Sequence, residues 1–183
     1  MRAISKRKSA ALVLSLFTAP VVAQSTWTVT QISGAQAAIN AASPGDTILL
    51  QGQPYFEPFV VNKGVTIRGD GVYIGRPWPT LASAEVLVNV PAGQRAHLDG
   101  LFLAAGYLPL GVIGGHLSVT GGAVTVQRCH VLCGDGDAVR VGAGAKVVLE
   151  SCLLHGNGAA GVAGRGLTVQ AGAHVEVRDS SVL

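Results

Sequence analysis

Residues 139–154 read VRVGAGAKVVLESCLL, and this stretch decides the fold. It contains three pairs of apolar residues, the members of each pair two positions apart: Val139 and Val141, Val147 and Leu149, and Cys152 and Leu154. Residues two apart point to the same side of an extended strand, so the stretch predicts three short strands that share one apolar face. A single unit of this kind cannot bury its apolar face, which favours stacking against similar units.

The same arrangement recurs in three further segments, residues 88–103, 117–131 and 167–183. The residues that open the second pair of each unit are 28, 23 and 28 positions apart: Ala96, Val124, Val147 and Val175. These intervals lie in the range of stacked supersecondary repeats. In residues 88–103 we align the first pair, Val88 and Val90, with Leu117 and Val119 of the next unit. The sequence therefore predicts an all-β coil of short strands around one apolar column, in which Val126, Leu149 and Val177 lie above one another.

The first 23 residues have the composition of a secretory signal peptide. Four cations (Arg2, Lys6, Arg7 and Lys8) precede an apolar run at residues 10–20, and small residues follow at 21–23. The apolar run is well short of the roughly 20 residues that a transmembrane helix needs. We therefore expect a removed signal peptide at residues 1–23 and one domain at residues 24–183 with no transmembrane segment, which is secreted, periplasmic or on the cell surface.

The net charge excludes one class of function. The chain has 13 Lys+Arg and 10 Asp+Glu, and loss of residues 1–23 leaves nine cations against ten anions. A near-neutral domain without an aromatic-interleaved basic stretch lacks the electrostatic surface of a nucleic-acid binder. We therefore expect no nucleic-acid partner.

One amphipathic helix is predicted before the repeats. A strand is expected near residues 27–30, and Ser33 with Gln36 has the spacing of a capping box. Pro44 and Gly45 end the helix. A helix at this position would cover the first open strand edge of the coil.

The segments AINAASPGDTILL (38–50) and PYFEPFVVNKGVTIRGDG (54–71) carry a family resemblance. A helix followed by PGDTI, a Tyr-x-Glu pair and a strand ending in RGDG resembles the opening of secreted proteins of the pectin lyase-like superfamily. The resemblance implies a right-handed parallel β-helix of three-strand coils with an N-terminal capping α-helix. That superfamily includes lyases, hydrolases, esterases and adhesins, so the fold does not assign an activity. The catalytic signatures of its pectinesterases, polygalacturonases and pectate lyases do not occur in this sequence.

The best candidates for ligand contact lie where the repeat pattern lapses, from residue 72 to 85. Tyr73, Arg76 and Trp78 combine aromatic faces, which pack on sugar rings, with a guanidinium that can hold a carboxylate. Tyr107 in the next insertion is a weaker partner. The alternative is that Trp78, between two prolines, packs the loop against the coil.

Two acidic residues form a second candidate site. Asp135 and Asp137 lie in the glycine-rich stretch CGDGD and could bind Ca²⁺ or act as an acid/base pair. Asp and Gly are also the usual residues of a tight turn, which is the favoured interpretation. The sequence indicates no other cofactor.

The cysteines allow three interpretations. Cys129, Cys133 and Cys152 with His155 could be written as a zinc set. Register instead places Cys129 and Cys152 in one inward column with Leu101 and Ser180, which favours buried thiols. A disulfide from Cys129 to Cys152 or to Cys133 is the second choice, and a metal site is disfavoured.

Polar two-residue steps separate the second and third strands of the units: Asp99-Gly100, Gln127-Arg128, Glu150-Ser151 and Arg178-Asp179. Because they mix both charge signs, we expect a solvated ladder of turns with little energetic weight. The histidines occur singly and are expected at the surface: His97, His116, His130 and His174.

The sequence favours an exported scaffold or glycan-contacting envelope protein without its own catalytic site. The alternative is a polysaccharide lyase or glycoside hydrolase whose catalytic coils lie beyond Leu183 or whose acids are Asp135 and Asp137. The pattern stops within a strand and without a closing cap. We interpret this as a fragment of a longer coil or as an end that another chain covers by end-to-end self-association.

Overall fold

The structure, a computed structural model, describes residues 23–31, 34–51, 58–75, 86–104, 117–133, 136–156 and 164–183. These residues form parallel β-strands and one short helix. No helix in the ranges just given is long and apolar enough to cross a membrane.

The elements follow in this order: β1 (Thr26–Val29), α1 (Ala35–Ala41), β2 (Thr47–Leu50), β3 (Phe59–Val61), β4 (Thr66–Gly75), β5 (Val86–Asn89), β6 (Arg95–Ala104), β7 (Leu117–Gly121), β8 (Ala123–Gln127), β9 (His130–Cys133), β10 (Asp137–Val141), β11 (Lys146–Glu150), β12 (Leu153–Gly156), β13 (Arg165–Val169), β14 (His174–Arg178) and β15 (Ser181–Val182).

The strands form two sheets whose order follows the sequence repeat. The five-stranded sheet has the order β13-β10-β7-β5-β3, and it takes the first strand of each unit. The ten-stranded sheet has the path β1-β2-β4-β6-β8-β11-β14, with β9, β12 and β15 joined through β6. Every described pair is parallel, so equivalent strands of successive units lie side by side.

The register confirms the predicted inward column. Val126 lies opposite Leu98 on one side and Leu149 on the other, and Leu149 lies opposite Val177. Leu98, Val126 and Leu149 have no exposed surface. One apolar cluster runs from the helix through the units, since the inward residues of both sheets belong to the same buried core.

One detail of the predicted register was wrong. Val86 and Val88, not Val88 and Val90, lie opposite Leu117 and Val119. The register differs from the prediction by two residues, an even number, so the apolar residues stay on the predicted face. Val90 follows a register shift at the end of β5 and is also buried.

The first unit also has a third strand that the pattern did not predict. Residues 72–75 pair with residues 101–104 as the second half of β4, where an irregular segment was expected. Three residues, 69–71, separate the two halves of β4, whereas Gly100 alone separates those of β6. The two additional residues are absorbed as a bulge, which obscured the repeat in the sequence.

The turns between the second and third strands share one backbone conformation. Gly100, Arg128, Ser151 and Asp179 have φ values of 65°, 51°, 54° and 46°. A single residue in the left-handed conformation redirects the chain. This conformation is uncommon for residues other than glycine, asparagine and aspartate. The sharp turn therefore depends on position in the repeat and not on a glycine in each copy.

The helix covers a strand edge, as predicted, although its start was wrong. Gly34 is the N-cap and makes no side-chain capping bond, and Ser33 lies outside the described residues. Gln36 instead accepts a hydrogen bond from the Val60 N–H at 2.7 Å and donates one to the Val60 carbonyl at 3.4 Å. Because β3 is the edge of the five-stranded sheet, the Gln36 amide takes the place of a neighbouring strand.

The aspartate of the PGDTI segment, Asp46, has a structural role. Its carboxylate accepts hydrogen bonds from the N–H groups of Ser25 and Ser43 at 2.8 and 2.9 Å, and from the Trp27 indole at 3.0 Å. These donors lower the pKa of Asp46 below its ordinary value of 3.8, with the Ser25 N–H as the main cause. The carboxylate thereby ties β1 to the turn that precedes β2.

The last unit leaves its inward residues uncovered. Val169, Val177 and Val182 continue the buried columns but are 45%, 44% and 42% exposed, since no described strand lies beyond them. Self-association through this end stays a prediction.

Candidate functional site

The carboxyl ends of the third strands lie together at one edge of the ten-stranded sheet. Gly75 at the end of β4 lies opposite Ala104 at the end of β6, and Ala104 lies opposite Leu132 of β9. From each of these ends the chain passes to the next strand of the five-stranded sheet. In parallel sheets, side chains beyond the carboxyl ends of neighbouring strands can converge on one ligand, so this edge is a candidate binding site.

Ring-bearing residues line up beside this edge, and we call Tyr73, Phe102 and His130 the ring row. Tyr73 lies opposite Phe102, and Phe102 lies opposite His130, on three successive units. The Phe102 and His130 ring centroids are 4.9 Å apart with the planes at 77°, an edge-to-face contact. Leu101 and Leu103 on either side of Phe102 are buried, so the Phe102 ring lies on the outer face of the sheet.

The environment of His130 favours its neutral form. Burial lowers the pKa of His130 from its ordinary value of 6.5, and the neighbouring His155 lowers it further. Among the described residues, no group forms a hydrogen bond with the His130 Nε2 atom, which is shielded from solvent. His97 likewise has a shielded Nε2 without a partner there, so these two histidines, expected at the surface, are half-buried.

The predicted ligand patch is described only in part. Tyr73 lies in β4, at the register position just given. Arg76, Trp78 and Tyr107 lie outside the described residues. The patch therefore stays a prediction, now extended by Phe102 and His130, which the sequence reasoning missed. The signal that could have found them is the position between two inward residues of the third strand, read across successive repeats.

The predicted acidic pair is also described in part. Asp137 begins β10, and its Oδ2 atom is 3.4 Å from both Nε and Nη2 of Arg140. Asp135 lies outside the described residues, so the Ca²⁺ and acid/base interpretations stay predictions. Within the described ranges, no three His, Cys, Asp or Glu side chains come together as metal ligands.

Cys129 and Cys152 are buried free thiols, as the inward column predicted, and Cys133 is also buried. The disulfide alternative for Cys129 and Cys152 is therefore not formed. Cys129 Sγ lies 3.6 Å from the Leu98 carbonyl and 3.2 Å from the Gln127 carbonyl, and Cys152 Sγ lies 3.3 Å from the Val126 and Glu150 carbonyls.

Burial sets the chemistry of these thiols. It raises the pKa of Cys129 from 9.0 to about 12, and it also raises the pKa of Cys152. Ser180 takes the next position of the same column, where its hydroxyl donates to the Arg178 carbonyl at 2.7 Å. At these three positions of the column, a small side chain with a thiol or hydroxyl group contacts the carbonyl of the residue two positions earlier. The two thiols therefore have a structural role.

The polar ladder differs from the solvated row that we expected. Asp99 is only 5% exposed. Arg128, one unit later, donates from Nε to Oδ1 at 2.9 Å and from Nη2 to Oδ2 at 2.5 Å, a bidentate pair. The Arg68 guanidinium lies 3.8 Å from Asp99 Oδ2 on the other side. The carboxylate therefore links three successive units, and it is not available as a free acid.

No family model, curated protein or solved structure matches the chain. The site must therefore be interpreted from its own residues.

Proposed function

We propose that the chain is an exported right-handed parallel β-helix of the pectin lyase-like type and acts as a non-catalytic scaffold that contacts a glycan. The winding is supported by the two sheets, because the chain passes from a strand of one sheet to two strands of the other and returns beside its starting strand. Parallel strands joined by such a crossover are right-handed in nearly all proteins. Export rests on residues 1–23 of the sequence.

The single observation that carries the glycan proposal is the ring row. Phe102 and His130 are in contact on adjacent strands, and Tyr73 lies in register with them. Ring faces and edges on the outside of a rigid sheet offer apolar area to the C–H faces of sugars at little cost in side-chain entropy. In the sequence, Trp78 and Tyr107 follow the ends of the same two strands, β4 and β6.

Three of the described carboxylates are held by other groups of the protein, which supports a binding protein over a glycan-cleaving enzyme. Glycoside hydrolysis by two carboxylates requires one free acid and one free carboxylate facing the scissile bond. Asp99 and Asp137 are both engaged by arginines, and Asp46 is engaged by three N–H donors. The enzyme alternative would depend on other described acids, such as Glu150, Glu176 and Asp179, or on residues outside the described ranges.

The two tryptophans of the chain permit a direct test. In Trp27→Phe, Trp78 is the sole indole, and its emission should shift and quench as a bound polysaccharide covers it. In Trp78→Phe, Trp27 is the sole indole, and its emission should not change because Trp27 lies in β1, away from the third strands. Titration with neutral dextran, xylan and galactan tests several sugar chemistries under the same conditions.

The ring row has its own variant in the same assay. Phe102→Leu in the Trp27→Phe background keeps apolar volume but removes the ring, and it should weaken binding by about fivefold, since an aromatic contact contributes on the order of 1 kcal/mol. Equal responses of both indoles, or no effect of Phe102→Leu on a measured affinity, would refute the site. New reducing ends during the titration would favour the enzyme alternative.

A further inference from the structure

A row of outward residues crosses three strands of the ten-stranded sheet at their amino ends. Arg95 of β6 lies opposite Ala123 of β8, and Ala123 lies opposite Lys146 of β11. Ala96, Val124 and Val147 follow them in sequence and are buried, so Arg95, Ala123 and Lys146 share the outer face. Arg95 and Lys146 are therefore two strand spacings apart, about 9.6 Å, with only a methyl group between them.

This row borders a groove. A cavity of about 480 Å³ is lined by Arg95, Ala123 and Lys146 together with the glycine turns at Gly93, Gly122 and Gly144. The three glycines have φ values of 83°, 78° and 78°, and a Cβ atom added at Gly93 or Gly144 would meet no atom within 4 Å. The turns thus leave open space beside the cations, and the small side chain of Ala123 leaves the gap between them.

The charge of the groove is of one sign. Its described lining contains two cations and no carboxylate. Arg68, Arg128, Arg140 and Arg178 each have an acidic partner within 4.0 Å, whereas neither Arg95 nor Lys146 takes part in an ion pair among the described residues. Two exposed cations without an acidic partner in the described part of the chain, beside an open groove, favour an anionic ligand.

We propose that this groove binds a linear acidic polysaccharide, whose sulfate or carboxylate groups contact Arg95 and Lys146 in succession. The separation of the two cations suits two anionic groups on one extended chain that runs along the stacking direction of the units. Two cations on a near-neutral domain are too few for the multiple phosphate contacts of nucleic-acid binding. The inference goes beyond the proposed function, because the groove adjoins the amino ends of the second strands and needs no residue of the ring row.

Ala123 offers a matched pair of variants. Ala123→Glu places a carboxylate between Arg95 and Lys146 and neutralises the groove, whereas Ala123→Gln fills the same space without charge. Each full-length variant is titrated with fluorescein-labelled dextran sulfate, alginate or neutral dextran. We expect Ala123→Glu to weaken binding of the charged polymers at least about tenfold relative to Ala123→Gln, since two exposed ion pairs are lost.

Removal of the cations gives an independent test if Ala123→Glu does not fold. Arg95→Gln and Lys146→Gln should each weaken binding, and Arg178→Gln, which removes an exposed cation from the same sheet, should not. Dextran sulfate binding without alginate binding would assign sulfate as the preferred group, and the reverse would assign carboxylate. Both results support an anionic polymer in the groove.

Three results would overturn the proposal: no binding of either charged polymer at 50 mM salt, equal binding of neutral dextran, or equal losses in Ala123→Glu and Ala123→Gln. The Ala123, Arg95 and Lys146 variants report on the groove with charged polymers, whereas Phe102→Leu reports on the ring row with neutral polysaccharides. The groove and the ring row can therefore fail separately.

Discussion

Replacement of Leu149 by alanine removes the side chain at the centre of the inward column that Val126, Leu149 and Val177 form. Leu149 is fully buried and lies between two hydrogen-bonded parallel strands, β8 and β14. The strands cannot approach further, because their backbone bonds fix a spacing of about 4.8 Å. The cavity therefore persists, and we expect a loss of about 3–5 kcal/mol in the free energy of unfolding.

Val148 provides the matched control, because it is the adjacent residue on the same strand and lies on the outer face. Val148→Ala should cost at most about 1 kcal/mol, the full range of strand propensity. Both variants are compared with the wild type by urea denaturation followed by circular dichroism, with the m value checked for a common unfolding transition. A loss for Leu149→Ala below about 1 kcal/mol, or equal losses for the two variants, would refute the stacked column.

Further predictions concern buried polar groups and the helix. Cys129 and Cys152 should not react with a disulfide reagent at pH 8 in the native protein, because burial raises the pKa of both thiols. Both should react after denaturation. Rapid labelling of the native protein would contradict their burial. Since the pKa of Asp46 is lowered on folding, the stability that Asp46 provides is present above pH 3.8 and is lost as the pH falls through and below that value. Asp46→Asn should therefore flatten the acid part of a plot of thermal-unfolding temperature against pH. An unchanged plot would count against the three donors. The pKa of His130 is also lowered, which for a base means that the unfolded chain binds the proton more tightly, so stability should fall as the pH drops below 6.5. His130→Gln should reduce that fall. A pH dependence identical to that of the wild type would contradict the shielded imidazole. Gln36→Ala removes the two hydrogen bonds to Val60, so it should lower the unfolding free energy by about 1 kcal/mol and increase aggregation measured by light scattering. Gln36→Glu should restore only the bond to the N–H. A fully stable Gln36→Ala protein would show that the edge of β3 needs no cover.

The period of two in the sequence predicted the strands of the later units and their inward faces, but not the second half of β4. The alternation around Val126 and Leu149 predicted both the strands and their register, because an inward residue has no other place in a narrow core. The same rule could not distinguish Val86 from Val90 as the partner of the next unit. Residues two apart share a face, so hydrophobic pattern alone permits a slip by two.

The contacts of Asp99 and of the ring row could not be predicted because they join residues of different units. Asp99 has the composition of a solvated turn residue, and only the stacked register places the Arg128 guanidinium beside it. The contact of Phe102 and His130 depends on the same stacking, as does the gap at Ala123 between two cations. One unit read by itself shows which face a residue is on but not its neighbours on that face.

Nuclear Overhauser effects between methyl groups test the stacked column most directly. In a perdeuterated sample with protonated Val and Leu methyl groups, we expect cross-peaks between Val126 and Leu149 and between Leu149 and Val177, which lie on neighbouring strands about 4.8 Å apart. Val126 and Val177 are twice as far apart and should give no direct cross-peak. Absence of the two neighbouring cross-peaks, or a strong direct one between Val126 and Val177, would contradict the stacking on which the account depends.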